Sequence, residues 1–70
     1  MNKIYLQFEI EKGYPAGKNI YYECTICNLF INSMPDIYDE CKCGNISIDA
    51  VVGRITIEAN KKIKIFKTKK

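Results

Sequence analysis

Four cysteines in two tight pairs, Cys24/Cys27 and Cys41/Cys43, constrain this chain more than anything else in it. They are its whole complement of cysteine, and the sequence contains no histidine. Soft ligands separated by one or two residues match a tetrahedral thiolate metal site, because a tight turn brings both sulfurs of a pair to one ion. Each turn must then release the chain, which favours a residue tolerant of left-handed dihedrals. Asn28 and Gly44 stand directly after the last cysteine of each pair, and asparagine and glycine tolerate that conformation best. Two disulfides, or free buried thiols, are the competing arrangements. A Cys41/Cys43 bridge would close a strained small ring, which leaves the cross-pairings as the disulfide alternatives.

The chain is short enough for a staple to matter. Seventy residues make one domain, and a domain of that size buries only roughly 60% of the surface its unfolded form exposes. At 47% hydrophobic residues the chain is globular rather than disordered. Its apolar runs fall well short of the roughly 20 residues that span a bilayer, so no membrane partner is expected. Lys3, Gln7 and Glu9 interrupt the first ten residues, unlike the apolar centre of a secretory signal. The expected compartment is therefore the cytoplasm, where disulfides are rare and cysteine clusters more often bind metal.

Period-two alternation recurs along the chain and predicts short strands. From Lys3 to Glu11, Ile4, Leu6, Phe8 and Ile10 fall on one face. A turn-rich loop follows at 13–18, then a strand at 20–24. Leu29, Phe30 and Ile31 continue a strand away from the first cysteine pair, and Ser33–Asp36 breaks it. Asp36–Glu40 reads as a solvated acidic loop. Ile46, Ile48, Ala50 and Val52 alternate, Gly53 marks a turn, and Ile55 and Ile57 alternate again. Asn60 and Lys61 suit a hairpin turn leading into Lys62–Lys67, with Ile63 and Ile65 inward. The fold class is thus all-β: five or six short antiparallel strands and hairpins around one tetracysteine site. The single domain, 1–70, divides into an N-terminal strand and loop (1–19), a core (20–67) and a frayed basic tail (68–70).

Tyr22-x-Cys24-x-x-Cys27, then Cys41-x-Cys43-Gly44-Asn45 and a β-hairpin, resembles a zinc ribbon over residues 20–67. Ribbons usually carry two residues between both ligand pairs, whereas only Lys42 lies between Cys41 and Cys43. The order of these motifs, with Ile46, Asp49, Gly53 and Arg54 following, is also similar to that of small bacterial zinc-ribbon-like proteins. The resemblance implies one structural Zn2+ per chain on Cys24, Cys27, Cys41 and Cys43, with iron the less expected occupant. It leaves function open among nucleic-acid binding, protein docking and a structural part of a larger machine.

Catalysis is not expected. Four cysteine ligands close the coordination sphere that hydrolysis needs open. Ser33 and Ser47 have no recognisable activating partner, and Asp39 and Glu40 fit a solvated turn. No small-molecule substrate is therefore expected, and binding remains. A protein partner is favoured, as for an inhibitor or an immunity protein of a bacterial competition system. Its candidate contacts are Tyr14, Tyr21, Tyr38, Asp36, Asp39 and Glu40, since tyrosines serve as interface anchors. The alternative is nucleic acid, through Arg54, Lys61, Lys62, Lys64, Lys67, Lys69 and Lys70. Charge is split accordingly. Through residue 60, eight acids face five bases, a net of −3, while the last ten residues carry six lysines and no acid.

Overall fold

The computed structural model describes residues 2–68, without the side chains of Ile10 and Asn60. The described residues form seven short strands in two antiparallel sheets. The first sheet takes β1 (Lys3–Leu6), β7 (Ile63–Thr68), β2 (Ile20–Cys24) and β3 (Phe30–Asn32), in that spatial order. The second takes β4 (Tyr38–Glu40), β5 (Ile46–Asp49) and β6 (Arg54–Ile57). Among the described residues no helix is long and apolar enough to cross a membrane.

The sheets meet over one core. Tyr22, Cys24, Ile31, Ile63 and Ile65 come from the first sheet. Ile46, Ile48 and Cys41 come from the second sheet and the turn at its end. Leu6, Phe8, Tyr14, Ile20, Ile55 and Ile57 pack around them, partly buried. The loop after β1 is fastened by polar groups inside it. The Tyr22 hydroxyl donates to the Pro15 carbonyl at 2.8 Å, and its burial pushes the phenol up to about 12. The buried Ser33 hydroxyl accepts from the Gly17 N–H at 2.9 Å and donates to the Gly17 carbonyl at 2.8 Å.

The alternation places most inward residues correctly, but several elements differ. β1 stops at Leu6, and a 3-10 turn at Ile10–Lys12 replaces the rest of the expected strand. Ile4 is exposed, because at the sheet edge it has a neighbouring strand on one side only. Ile10, expected inward, has its side chain outside the described residues. Asp39 and Glu40 lie in a strand rather than a loop, because β4 pairs with β5 through Tyr38–Asp49, Asp39–Ile48 and Glu40–Ser47. Ala50 and Val52 point into solvent, since β5 ends at Asp49 and 50–53 is the turn to β6. The Asp49 carboxylate accepts from the N–H groups of Val51 and Val52 and so closes that turn.

The largest difference concerns the last strand. Asn60–Lys62 is a 3-10 turn, not a hairpin turn, and β7 does not return beside β6. It crosses to the first sheet and inserts between β1 and β2. Phe66 there aligns with both Tyr5 and Tyr21. The positive charge goes with it. Segments 2–33 and 59–68, which build the first sheet and its flanking turns, carry seven lysines against Glu9, Glu11 and Glu23. Segment 34–58, with the second sheet, carries Asp36, Asp39, Glu40, Asp49 and Glu58 against Lys42 and Arg54. The acidic body and basic end expected from the sequence become two halves of opposite charge.

Candidate metal centre

Two hairpin turns supply the four thiols. Cys24 ends β2 and Cys27 sits in the turn toward β3; Cys41 follows β4 and Cys43 sits in the turn toward β5. Each turn is closed by a backbone hydrogen bond back to its first cysteine, across four residues in one and three in the other. The Asn28 N–H donates to the Cys24 carbonyl at 2.9 Å, and the Gly44 N–H to the Cys41 carbonyl at 2.9 Å. Both residues have the left-handed φ that the sequence predicts, 61° at Asn28 and 79° at Gly44. The chain then turns back to pair across the base of each knuckle. Cys24 N–H bonds the Leu29 carbonyl at 2.8 Å, and Cys41 N–H bonds the Ile46 carbonyl at 3.0 Å.

The four ligand atoms lie within 4.8 Å of one another. Cys24 and Cys43 sulfurs are 3.4 Å apart, and those of Cys41 and Cys43 are 3.6 Å apart. Four thiolates about 2.3 Å from one ion in a tetrahedron would stand about 3.8 Å from each other. The cluster has that scale, and its cysteines are unbonded to each other. It can hold a metal ion with sulfur donors alone. Cys24 and Cys41 are buried in the core, while Cys27 is half-buried and Cys43 exposed.

Backbone and amide donors surround the sulfurs and favour their charged form. The Ile46 N–H donates to Cys41 Sγ at 3.3 Å. Hydrogen bonds from the Cys43 N–H, then the Leu29 N–H and the Cys43 and Cys24 thiols, outweigh desolvation and bring Cys27 down to about 6. Burial opposes ionisation of Cys24, yet the N–H groups of Cys27 and Ile26 and the Cys43 thiol outweigh it and lower that group too. Cys43 goes the other way. The Asn45 N–H favours its thiolate, but desolvation and the neighbouring Cys24, Cys41 and Cys27 thiols push it up to about 12. A first negative charge therefore settles most easily on Cys27, and a fourth is hardest to place on Cys43 without a cation.

A pH dependence follows from this order. Metal binds thiolate, so protons compete with it. Protons already compete at neutral pH, where Cys43 holds its proton in the metal-free chain, and the competition steepens below about 6, where Cys27 takes one as well. Metal retained through dialysis should fall as pH drops through and below about 6. A retention curve that steepens nowhere near or below about 6 would contradict this ordering.

Asn45 is the functional residue that sequence reasoning leaves without a role. It is buried, its side-chain carbonyl accepts from the Ala59 N–H at 2.6 Å, and its amide donates to the Ala59 carbonyl at 3.3 Å. The same amide lies 3.9 Å from Cys24 Sγ. Asn45 thus ties the second knuckle to the chain leaving β6 and to a sulfur of the first. Its only sequence signal is the Gly-Asn pair after Cys43. Thr25 makes a similar tie on the other side, donating through both its N–H and its hydroxyl to the Lys62 carbonyl, each at 2.8 Å.

The other candidate residues are dispersed. Tyr14 packs edge-on against Tyr22 and beside Phe8 at the core margin, and Tyr21 stacks on Phe66 outside the core. Tyr38, Asp39 and Glu40 are exposed on β4, with Asp36 exposed just before it. Arg54 lies on β6 opposite Asp49, in the acidic half. Lys61 and Lys62 lie in the 3-10 turn, while Lys64 and Lys67 take opposite faces of β7. Lys69 and Lys70 lie outside the described residues. Comparison with protein-family models, with curated proteins and with solved structures found no match to this chain.

Proposed function

We propose that this chain is a zinc-clamped binding module that docks a protein partner on the exposed end of its second sheet. The donor set supports zinc. Four thiolates suit an ion with no preferred geometry of its own and fill all four of its positions, leaving none for water or substrate. Purified protein should therefore carry about one zinc per chain and be colourless. The charge-transfer colour of an iron–thiolate centre would replace zinc in this reading.

One observation carries the docking surface. The 33–37 segment and the β5–β6 turn flank a groove lined by Met34, Pro35, Ala50 and Ile55, and the Ala50 N–H bonds the Ile37 carbonyl at 2.8 Å. From those two segments Ile37, Val51 and Val52 project with 67%, 74% and 66% of their surface exposed. Apolar residues gathered this way on a small protein are characteristic of protein interfaces. Asp36, Asp39 and Glu40 add negative charge around them, so the complementary partner presents an apolar segment with lysine or arginine at its margin. An inhibitor or immunity protein that occludes a basic, apolar site on its target would act this way.

A photo-crosslinking residue at position 52, used in the native host, should give one defined protein adduct, and the same residue at Glu11 should not. Val51→Asp with Val52→Asp should then weaken the purified pair by about tenfold or more and leave the thermal melt nearly unchanged, since the sites are exposed. Identical adducts from both positions would reject the surface.

A further inference from the structure

We infer that the outer face of the four-stranded sheet, formed by β1, β7, β2 and β3, binds single-stranded nucleic acid. It would stack bases on Tyr5, Tyr21 and Phe30 and hold phosphates with Lys3, Lys18 and Lys64. This site is distinct from the proposed docking end and stands on separate observations.

The strand register creates the face. Tyr5, Phe66 and Tyr21 form one cross-strand row, and Lys64, Glu23 and Phe30 form the next. Their neighbours along each strand, among them Tyr22, Ile31 and Ile65, point the other way into the core. The sheet therefore carries a second layer, whose apolar members Tyr5, Tyr21, Phe30 and Phe66 are all aromatic. Phe66 is fully buried in it. Tyr21 stacks on Phe66 with centroids 5.3 Å apart and planes 16° from parallel. Phe30 meets both rings edge-on at 5.6 and 5.4 Å, and Tyr5 meets Phe66 edge-on at 5.7 Å. Phe66 supports the layer from beneath, while Tyr5 and Phe30 keep 50% and 39% of their surface exposed. Nothing in the second sheet covers this side, because the second sheet packs on the opposite face.

Cations already occupy the layer. Lys3 Nζ lies 4.8 Å from the Phe66 centroid and 5.1 Å from that of Phe30, and Lys64 Nζ lies 5.6 Å from that of Tyr5. Lys18 lines a groove with Asn19, Tyr21 and Thr68 at the margin of the same face. Aromatic rings with interleaved ammonium groups on an open sheet are the chemistry that single strands require. Unpaired bases stack on the rings whatever their identity, and the lysines track the backbone. A duplex hides its base faces and cannot use the rings. The charge division of the molecule agrees, since five of the eight acids lie in the segment 34–58 that holds the second sheet.

Glu23 is the acid within the face. It accepts from the Tyr5 hydroxyl at 3.0 Å and pairs with Lys3 at 3.3 Å. In the free protein it parks Lys3 across the Phe30 ring. An incoming strand exchanges contacts: a base takes the ring, and Lys3 turns from Glu23 to a phosphate. Glu23 therefore competes with the ligand.

The test titrates metal-loaded full-length protein into a fluorescently labelled oligothymidylate and its uridine counterpart at low salt, with a duplex of equal length as control. Single strands should bind and the duplex much more weakly. Phe30→Ala and Tyr5→Ala should each weaken binding by about tenfold. Phe30→Tyr should restore it, which separates stacking from any loss of fold. Glu23→Gln should tighten binding several-fold, an effect of opposite sign that general destabilisation does not produce. Three phosphate contacts at about −0.7 each predict a slope of log affinity on log salt near −2. The proposal is overturned by duplex binding as tight as single-strand binding, or by Phe30→Ala and Tyr5→Ala without effect. It is equally overturned by no binding at low salt, or by a concentration-dependent dimer that buries this face instead.

Discussion

Chelating the metal should unfold this protein. The apparent binding free energy of a structural zinc site is about 10–16 kcal/mol, and the total stability of a small domain is about 5–15 kcal/mol. The two are equal in scale, so the metal-free chain is left with little or no net stability. The connectivity shows where the loss falls first. Besides the core contacts, the 33–37 segment, the passage from β6 to β7 and the Asn45 amide beside Cys24 link the sheets, and a metal on the four cysteines would add a further tie. β4 is exposed along its whole length, so the buried residues of the second sheet itself come from β5 alone. On chelation the amides of β4, β5 and β6 should exchange with solvent before those of β7 and β2. Cys41→Ser should match chelation, because Cys41 is buried and belongs to the core as well as to the cluster. Cys27→Ser, at a half-buried position, should also loosen the fold greatly, and less than Cys41→Ser. A cooperative melt that survives chelation unchanged, with all four thiols freely titratable in the folded state, would remove the metal from the account of stability.

Phe66→Ala should cost about 3–5 kcal/mol, comparable with the loss expected at any residue of the core between the sheets. Phe66 is not part of that core. It is nonetheless fully buried, and it is the one ring that touches all three other members of the aromatic layer. Truncating it opens a cavity beneath Tyr5, Tyr21 and Phe30 that a short β-sheet cannot collapse to fill. Denaturant unfolding of the metal-loaded protein measures the loss. Tyr5→Ala, half exposed at the sheet edge, should cost much less. A Phe66→Ala cost below about 1 kcal/mol, within the range of ordinary surface changes, would mean that the layer adds little to folding.

The four-cysteine cluster was legible because its signals are local. Cysteine spacing, and the residue that follows each pair, depend on the few bonds of one turn, and the φ values of Asn28 and Gly44 follow from them. Alternation likewise identified Ile46, Ile48, Ile63 and Ile65 as inward. The same reasoning stretched β1 past Leu6 and carried β5 past Asp49, because apolar residues continue beyond the point where a partner strand stops. It also read Tyr38–Glu40 as a loop. A strand exposed on its whole length has no burial period, and only pairing with β5 reveals it.

Phe66 is the clearest case of what lay out of reach. It follows the inward Ile65, so alternation sends it to solvent, yet both residues are buried. Both can be, because β7 is an interior strand with apolar cover on either face. By itself the sequence determined the pairing of four cysteines, two knuckle turns and the run of short strands, since each rests on dihedral preference and spacing within a few residues. Tertiary structure alone decided that the last strand lies between the first and the second, and with it the aromatic layer and the separation of charge. Period-two order says which side chains share a face of a strand; which strands become neighbours is settled by burial between segments far apart in the chain.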